Sequence, residues 1–157
     1  MICLLVLTSC QKPNNDPGPG GSWTFNSNTY DAASCVIDST NFTVSAYNTV
    51  IGGTYSNIVV YFYDSLPDTG SYVVAMPGNL SAHNQASISL AYETSSVNSY
   101  YSSIISQNRT TKQPIIQKIR VTRAGGKIGV SGTGIAISSI ANPTDTIPLS
   151  FSITQTQ

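Results

Sequence analysis

From Ser22 to the C-terminus the chain repeats with a period of two. In IPLSFSITQ, Ile147, Leu149, Phe151 and Ile153 alternate with Pro148, Ser150, Ser152 and Thr154. In an extended strand this puts every apolar side chain on one face and the polar ones on the other. Ile88, Leu90 and Tyr92 alternate with Ser87, Ser89 and Ala91 in the same way, and Ile119 and Val121 alternate with Lys118, Arg120 and Thr122. No long stretch carries a helical period, so the chain is committed to half-buried strands without helical layers.

The residues between these runs are turn formers. WTFNSNTYDAA predicts a short first hairpin closed by Asn26-Ser27-Asn28, and FTVSA predicts a strand with Phe42, Val44 and Ala46 inward. NIVVYFYDSLPDTGSYVVAM predicts a second hairpin, turning at Leu66-Pro67-Asp68-Thr69-Gly70. There Pro sets φ, Asp can bond the backbone ahead, and Gly is free to take positive φ. AGG at 124–126 predicts a third hairpin leading into Ile128 and Val130. Pro148 lacks an amide hydrogen and predicts a strand start or an edge. The stretch from Ser95 to Pro114 reads as either a long loop or an extra edge strand. Eight to ten short strands without helices predict a single all-β domain over 22–157, an antiparallel β-sandwich with a β-barrel as the alternative.

Composition limits what such a domain can do. Charged residues are 9% of the 157 positions, against roughly 25% in ordinary soluble domains. Ser and Thr occupy 40 positions, so polarity comes from hydroxyls and amides. Net charge is zero, which leaves no overall basic field to gather nucleic acid. The charges are unevenly placed, however. Asp16, Asp31, Asp38, Asp64, Asp68 and Glu93 precede Arg109, Lys112, Lys118, Arg120, Arg123 and Lys127. The basic run reads either as a patch on two adjacent strands or as outward Lys and Arg guarding strands against edge pairing.

Catalytic and metal chemistry find little to build on. His83 is the only histidine, and it stands between turn residues. Metal sites made of His and Cys are excluded by number. Asp64 and Asp68 are explained by a hairpin loop without a calcium loop spacing, and nothing selects a pair of acids for glycoside hydrolysis. The glycine-rich stretches GGTYSN and SGTGIA lack the following helix that a phosphate loop needs. The expectation is a non-enzymatic domain with no cofactor and no metal. The positive signal is aromatic. In IVVYFYD, Ile58, Val60 and Phe62 are expected inward, which leaves Val59, Tyr61 and Tyr63 on the opposite face. With Tyr100 and Tyr101 these tyrosines are the candidate ligand-binding residues, for rings with an apolar body and a polar tip suit stacking on sugars. Burial of that second face under another segment is the alternative.

The N-terminus concerns address. Ile2 to Leu7 is an apolar run too short to cross a bilayer, followed by Leu7-Thr8-Ser9-Cys10. A branched residue, two small residues and Cys in this order resemble the lipobox of bacterial lipoproteins. That resemblance implies a signal peptide over 1–9, cleavage before Cys10, and a diacylglycerol thioether on the Cys10 sulfur. No Lys or Arg precedes the apolar run, so the expected start lies upstream and supplies one or two basic residues. QKPNNDPGPGG, with Pro13, Pro17 and Pro19 among Gly and Asn, reads as a flexible tether over 10–21. With Cys3 removed and Cys10 lipidated, Cys35 has no partner for a disulfide and reads as a small buried hydrophobe.

Taken with GSWTFNSNTYDAA, the GTYSN turn and KIRVTRAGGKIGVSGTG, the chain resembles small lipoproteins common in Bacteroidetes. The resemblance implies a β-sandwich held to the outer membrane by lipid, and it carries over Cys10 alone as a functional residue. Two functions are expected from it: a cell-envelope binding module, with glycan as a candidate ligand, or a structural component meeting an envelope protein through a sheet edge or the hairpin from Lys118 to Lys127. QKPNND offers only Asp16 as an acidic export signal, which leaves the face of the outer membrane open.

Overall fold

The computed structural model describes residues 19–48, 55–93, 98–107 and 110–157. The lipobox, Cys10 and most of the tether lie outside the described residues, as does Arg109. The domain is all-β and sandwich-like, with no helix among the described residues. Its ten strands are β1 (Gly21–Phe25), β2 (Asn28–Asp38), β3 (Thr43–Asn48), β4 (Tyr55–Phe62), β5 (Gly70–Val74), β6 (Gln85–Glu93), β7 (Asn98–Ser103), β8 (Lys118–Ala124), β9 (Lys127–Ser139) and β10 (Thr146–Thr154). Pairing runs β10-β1-β2-β3-β4-β6-β5-β8-β9 and returns to β10 through a β9–β10 ladder. Each described strand therefore has neighbours on both sides.

Two hairpins form where the turn residues predict them. Asn26 (φ 47°) and Ser27 (φ 63°) close β1–β2 between Phe25 and Asn28. Gly125 (φ 57°) and Gly126 (φ 79°) close β8–β9 between Ala124 and Lys127. Two successive positive φ values give the turn whose twist matches paired strands. Pro148 pairs with Ala136 of β9 but lies beyond Leu149, where the pairing with β1 ends, so its missing N–H leaves no gap in that ladder.

The segment after Asn57 departs from the expected hairpin. β4 and β5 are separated by β6, which takes eight paired positions along β4, from Tyr55↔Glu93 to Phe62↔Ala86. β5 is left with a two-residue parallel contact on β6 and four antiparallel positions on β8, so the sheet is mixed. Pro67, Asp68 and Gly70 do reverse the chain, but a connection of this length lets β5 step past a strand that offers β4 a longer ladder. β7 also differs from expectation, since it is flanked by β6 and β9 and is no edge strand.

β6 and β9 each change partner part-way along one edge. β6 pairs with β5 at Gln85 and Ala86 and with β7 from Ser89 onward. β9 pairs with β8 up to Ser131 and with β7 from Ile137. The gap between these partners is closed by two side chains. Ser103, fully buried, accepts from Ile88 N at 3.0 Å and donates to Ala75 O at 2.6 Å. The Gln117 amide donates to Ile104 O at 2.9 Å and accepts from Ala136 N.

A single apolar core fills the interior. Ile58, Val60 and Phe62 of β4, Ile88 and Leu90 of β6, and Leu149, Phe151 and Ile153 of β10 all point into it, as alternation predicts. Val44 and Ala46 also point inward, while Phe42 sits in the preceding turn at φ 52° and packs against the core from there. Trp23 crosses the interior from β1 and donates its Nε1–H to Ser56 Oγ of β4 at 3.2 Å. Among the described residues no buried side-chain polar atom lacks a partner. Replacing Ser103 by Ala removes the partner of two buried backbone groups, and urea titration should show a loss of about 1–3 kcal/mol. Ser102→Ala, one residue away on the outer face, should change stability by less than about 0.5 kcal/mol. Equal effects would refute the bridging role of Ser103.

Candidate functional site: the tyrosine face of the sheet

The inward set fixes the outward set by alternation. Across β2, β3, β4, β6 and β7 the outward residues stand in rows set by the strand register. One row is Ser34, Tyr47, Asn57, Ala91 and Tyr100. The next is Val36, Ser45, Val59, Ser89 and Ser102, and a third is Asp38, Thr43, Tyr61 and Ser87. These rows contain no Lys or Arg, and Asp38 is their sole acid. Its carboxylate is held below the usual range by hydrogen bonds from the Asn41 side chain and from the Asn41 and Thr40 amides.

Three of the four candidate tyrosines are exposed on the surface. Tyr61 is 37% exposed, Tyr63 42% and Tyr100 59%. Tyr61 itself stays exposed, although its neighbours in the third row, Thr43 and Ser87, are buried, so that end of the face is partly covered. Tyr101 faces the opposite way, because its pairing with inward Leu90 turns it toward the core, where its ring meets Phe25 edge-on at 4.6 Å. Adjacent residues of a strand must occupy opposite faces, so Tyr100 and Tyr101 cannot share one platform. Tyr47 takes its place as a half-buried outward ring in the same row as Tyr100. The alternation in FTVSAYN could have identified it.

The rings are spread over the face. Tyr61 and Tyr100 are separated by four residues along β4 and by two strands across, roughly 13 Å by roughly 10 Å. Tyr63, just past the end of β4, meets His83 edge-on at 6.1 Å. His83 Nδ1 in turn lies 2.7 Å from Asp64 Oδ1. A carboxylate orienting an imidazole is half of a nucleophile-activating arrangement, but among the described residues no hydroxyl or thiol is hydrogen-bonded to His83. Asp68 contributes its backbone carbonyl to Tyr72 and stands apart from this pair. No group of three or more His, Cys, Asp or Glu able to hold a metal occurs among the described residues.

Cys35 is fully buried and free, and burial pushes its thiol up from 9.0 to about 12. The basic residues do not form one patch. Arg123 Nη2 donates to Pro67 O at 3.0 Å and Lys127 Nζ donates to Thr156 O at 2.9 Å. Lys118 and Arg120 have no such ties. Arg120 is paired with both Ser71 of β5 and Ser131 of β9 and so guards no edge, whereas Lys118 is paired with β5 alone, beyond the end of the β9 ladder.

Compared with protein-family models, with curated proteins and with solved structures, the chain matches none. The site therefore stands on its geometry.

The Cys35 thiol supplies a pH prediction. Its pKa is higher in the folded state than in the unfolded chain, so the associated stability is complete below about pH 9 and falls as pH rises toward about 12. The decline is at most about 1.4 kcal/mol per pH unit. The stability difference between wild type and Cys35→Ala should shrink over that window in denaturant titrations, and peptide mapping should find Cys35 unalkylated by iodoacetamide until denaturant is added. Rapid labelling of the native thiol would contradict the burial.

Proposed function

We propose that this chain is a non-enzymatic binding module of the bacterial cell envelope, anchored in the outer membrane by lipid on Cys10, which presents the outer face of β3, β4, β6 and β7 to glycan. The exposure of Tyr61, Tyr63 and Tyr100 on a face without basic charge carries the reading. Tyr rings supply apolar area for the C–H faces of sugars, and the half-buried Ser45, Asn57, Ser89 and Ser102 between them supply donors and acceptors for hydroxyls. A shallow face of this kind suits an extended neutral chain better than a compact charged ligand. Of the alternative, a structural component engaging an envelope protein through a sheet edge or the hairpin from Lys118 to Lys127, the sheet-edge form has less support because every described strand has neighbours on both sides.

Glycan-array screening of the full chain tests the ligand. Tyr61→Ala and Tyr100→Ala should each weaken binding about two- to tenfold, the worth of one stacked ring. Tyr101→Ala instead removes a core ring and should lower thermal stability. Absence of any glycan signal, or signals indifferent to Tyr61 and Tyr100, would remove the glycan reading.

Anchoring is tested separately. Cys10→Ser in the full-length gene should abolish fatty-acid labelling and release the protein from membranes. Unchanged labelling would refute the lipid anchor and leave the glycan test unaffected.

A further inference from the structure

On the other side of the strand circuit, β8 and β9 part company. Their ladder runs from Ala124↔Lys127 to Arg120↔Ser131 and stops. Beyond Ser131 the register of β9 on β10 shifts, from Phe151↔Gly132 to Leu149↔Ile135. Thr133 and Gly134 (φ 63°) form the bulge, and Gly134 N donates to Ser150 Oγ at 3.0 Å. A bulge bends its strand and increases the local twist. The core fixes its position, because a Cβ on Gly132 would lie 2.8 Å from Phe151 Cε1 and 3.0 Å from Ile119 Cγ2.

The divergence opens a groove of about 290 Å³ lined by Ser71, Lys118, Arg120, Ser131 and Thr133, with Ile119 and Gly132. Ser71, Arg120 and Ser131 stand in one cross-strand row. Lys118 and Arg120 are two residues apart on the same face of β8, about 7 Å between Cα atoms. Among the described residues the one ion pair is His83 with Asp64, so neither cation has a carboxylate partner. The other cations of the hairpin, Arg123 and Lys127, are held by backbone carbonyls. Two like charges side by side, with three hydroxyls around them and no acid, form a surface whose repulsion is relieved by an anion.

We infer that this groove binds a tetrahedral oxyanion, a phosphate or sulfate group. Such a group has three or four terminal oxygens, enough to accept from the Arg120 guanidinium, the Lys118 ammonium and the hydroxyls of Ser71, Ser131 and Thr133 together. A carboxylate, with two oxygens in one plane, uses fewer of these donors. The groove lies just under the roughly 300–1,000 Å³ of small-molecule sites, which suits one charged group on one ring. The site lies on β5, β8 and β9, away from the tyrosine face, so its test is independent of glycan binding there.

NMR titration of the isotope-labelled full chain at constant ionic strength provides the test. Sodium phosphate or sodium sulfate should shift the amides of Ser71, Ser131 and Thr133 and the Arg120 side-chain resonance saturably, while sodium acetate should bind at least about tenfold more weakly. The exposed double variant Lys118→Gln/Arg120→Gln should keep the dispersed spectrum of a folded β-domain and lose the response, and Thr133→Val should weaken it. Glucose 6-phosphate and glucose 6-sulfate separate the sources. Tighter binding than the matching inorganic ion identifies an ester on a sugar, equal or weaker binding identifies the free ion, and both uphold the oxyanion site. Chloride or acetate shifts equal to those of phosphate and sulfate, or an unchanged response in the double variant, would overturn it.

Discussion

The sheet can return on itself because buried backbone groups at one seam are satisfied by side chains. Where β6 and β9 exchange partners, one strand, β7, gives way to two, β5 and β8. No ladder can be continuous across such a junction. The amide of Ile88 and the carbonyl of Ala75 would be left without partners in the interior, each at a cost of about 1–3 kcal/mol, and the amide of Ala136 and carbonyl of Ile104 would lose theirs in a part-buried setting. Ser103 and Gln117 take up all four. With that junction closed, the neighbouring strands hold their places without a disulfide, although Cys35 is the one described cysteine and is inert in the core.

A circuit of this kind separates two surfaces. The interior needs every inward position to be apolar or internally paired, as at Trp23 and Ser56. Among the described residues every strand has neighbours on both sides, so little edge needs an array of Lys and Arg to protect it. This is compatible with the low charge of the whole chain and gives its exposed charges and rings more weight. Tyr61 and Tyr100 are not required by the core, and Arg120 is paired on both sides.

What the sequence made legible follows the range of the interaction. Alternation is local, so the inward set of β4, β6 and β10 was readable. The Asn26-Ser27 and Gly125-Gly126 turns were also readable, because two residues with positive φ can hardly do anything else between two strands. The β4–β5 pairing was not, for a longer connection says that the chain turns and leaves open which strand it meets. The competition that β6 won is decided by ladder length between distant segments. Tyr101 was misread for a simpler reason: a strand through NSYYSS must put one of its two adjacent rings inside, and without the strand assignment that parity was invisible. The groove at Lys118 and Arg120 depends on a bulge in β9, and SGTG in sequence reads equally well as a turn.

Strand directions place the tyrosines relative to the point where the chain enters the domain. The chain enters β1 at Gly21, which pairs with Ile153, and Thr154 N donates to Gly20 O. Following the antiparallel register round the circuit, this end of the domain also holds the end of β4 near Tyr63 and the tip of the β8–β9 hairpin. Tyr47 and Tyr100 lie toward the opposite end, with the β1–β2 turn. The end of the sheet where the chain enters thus carries Tyr61 and Tyr63, and Tyr100 lies at the opposite end of the face. The register assigns each ring to one end of the face, which neither composition nor sequence spacing contains.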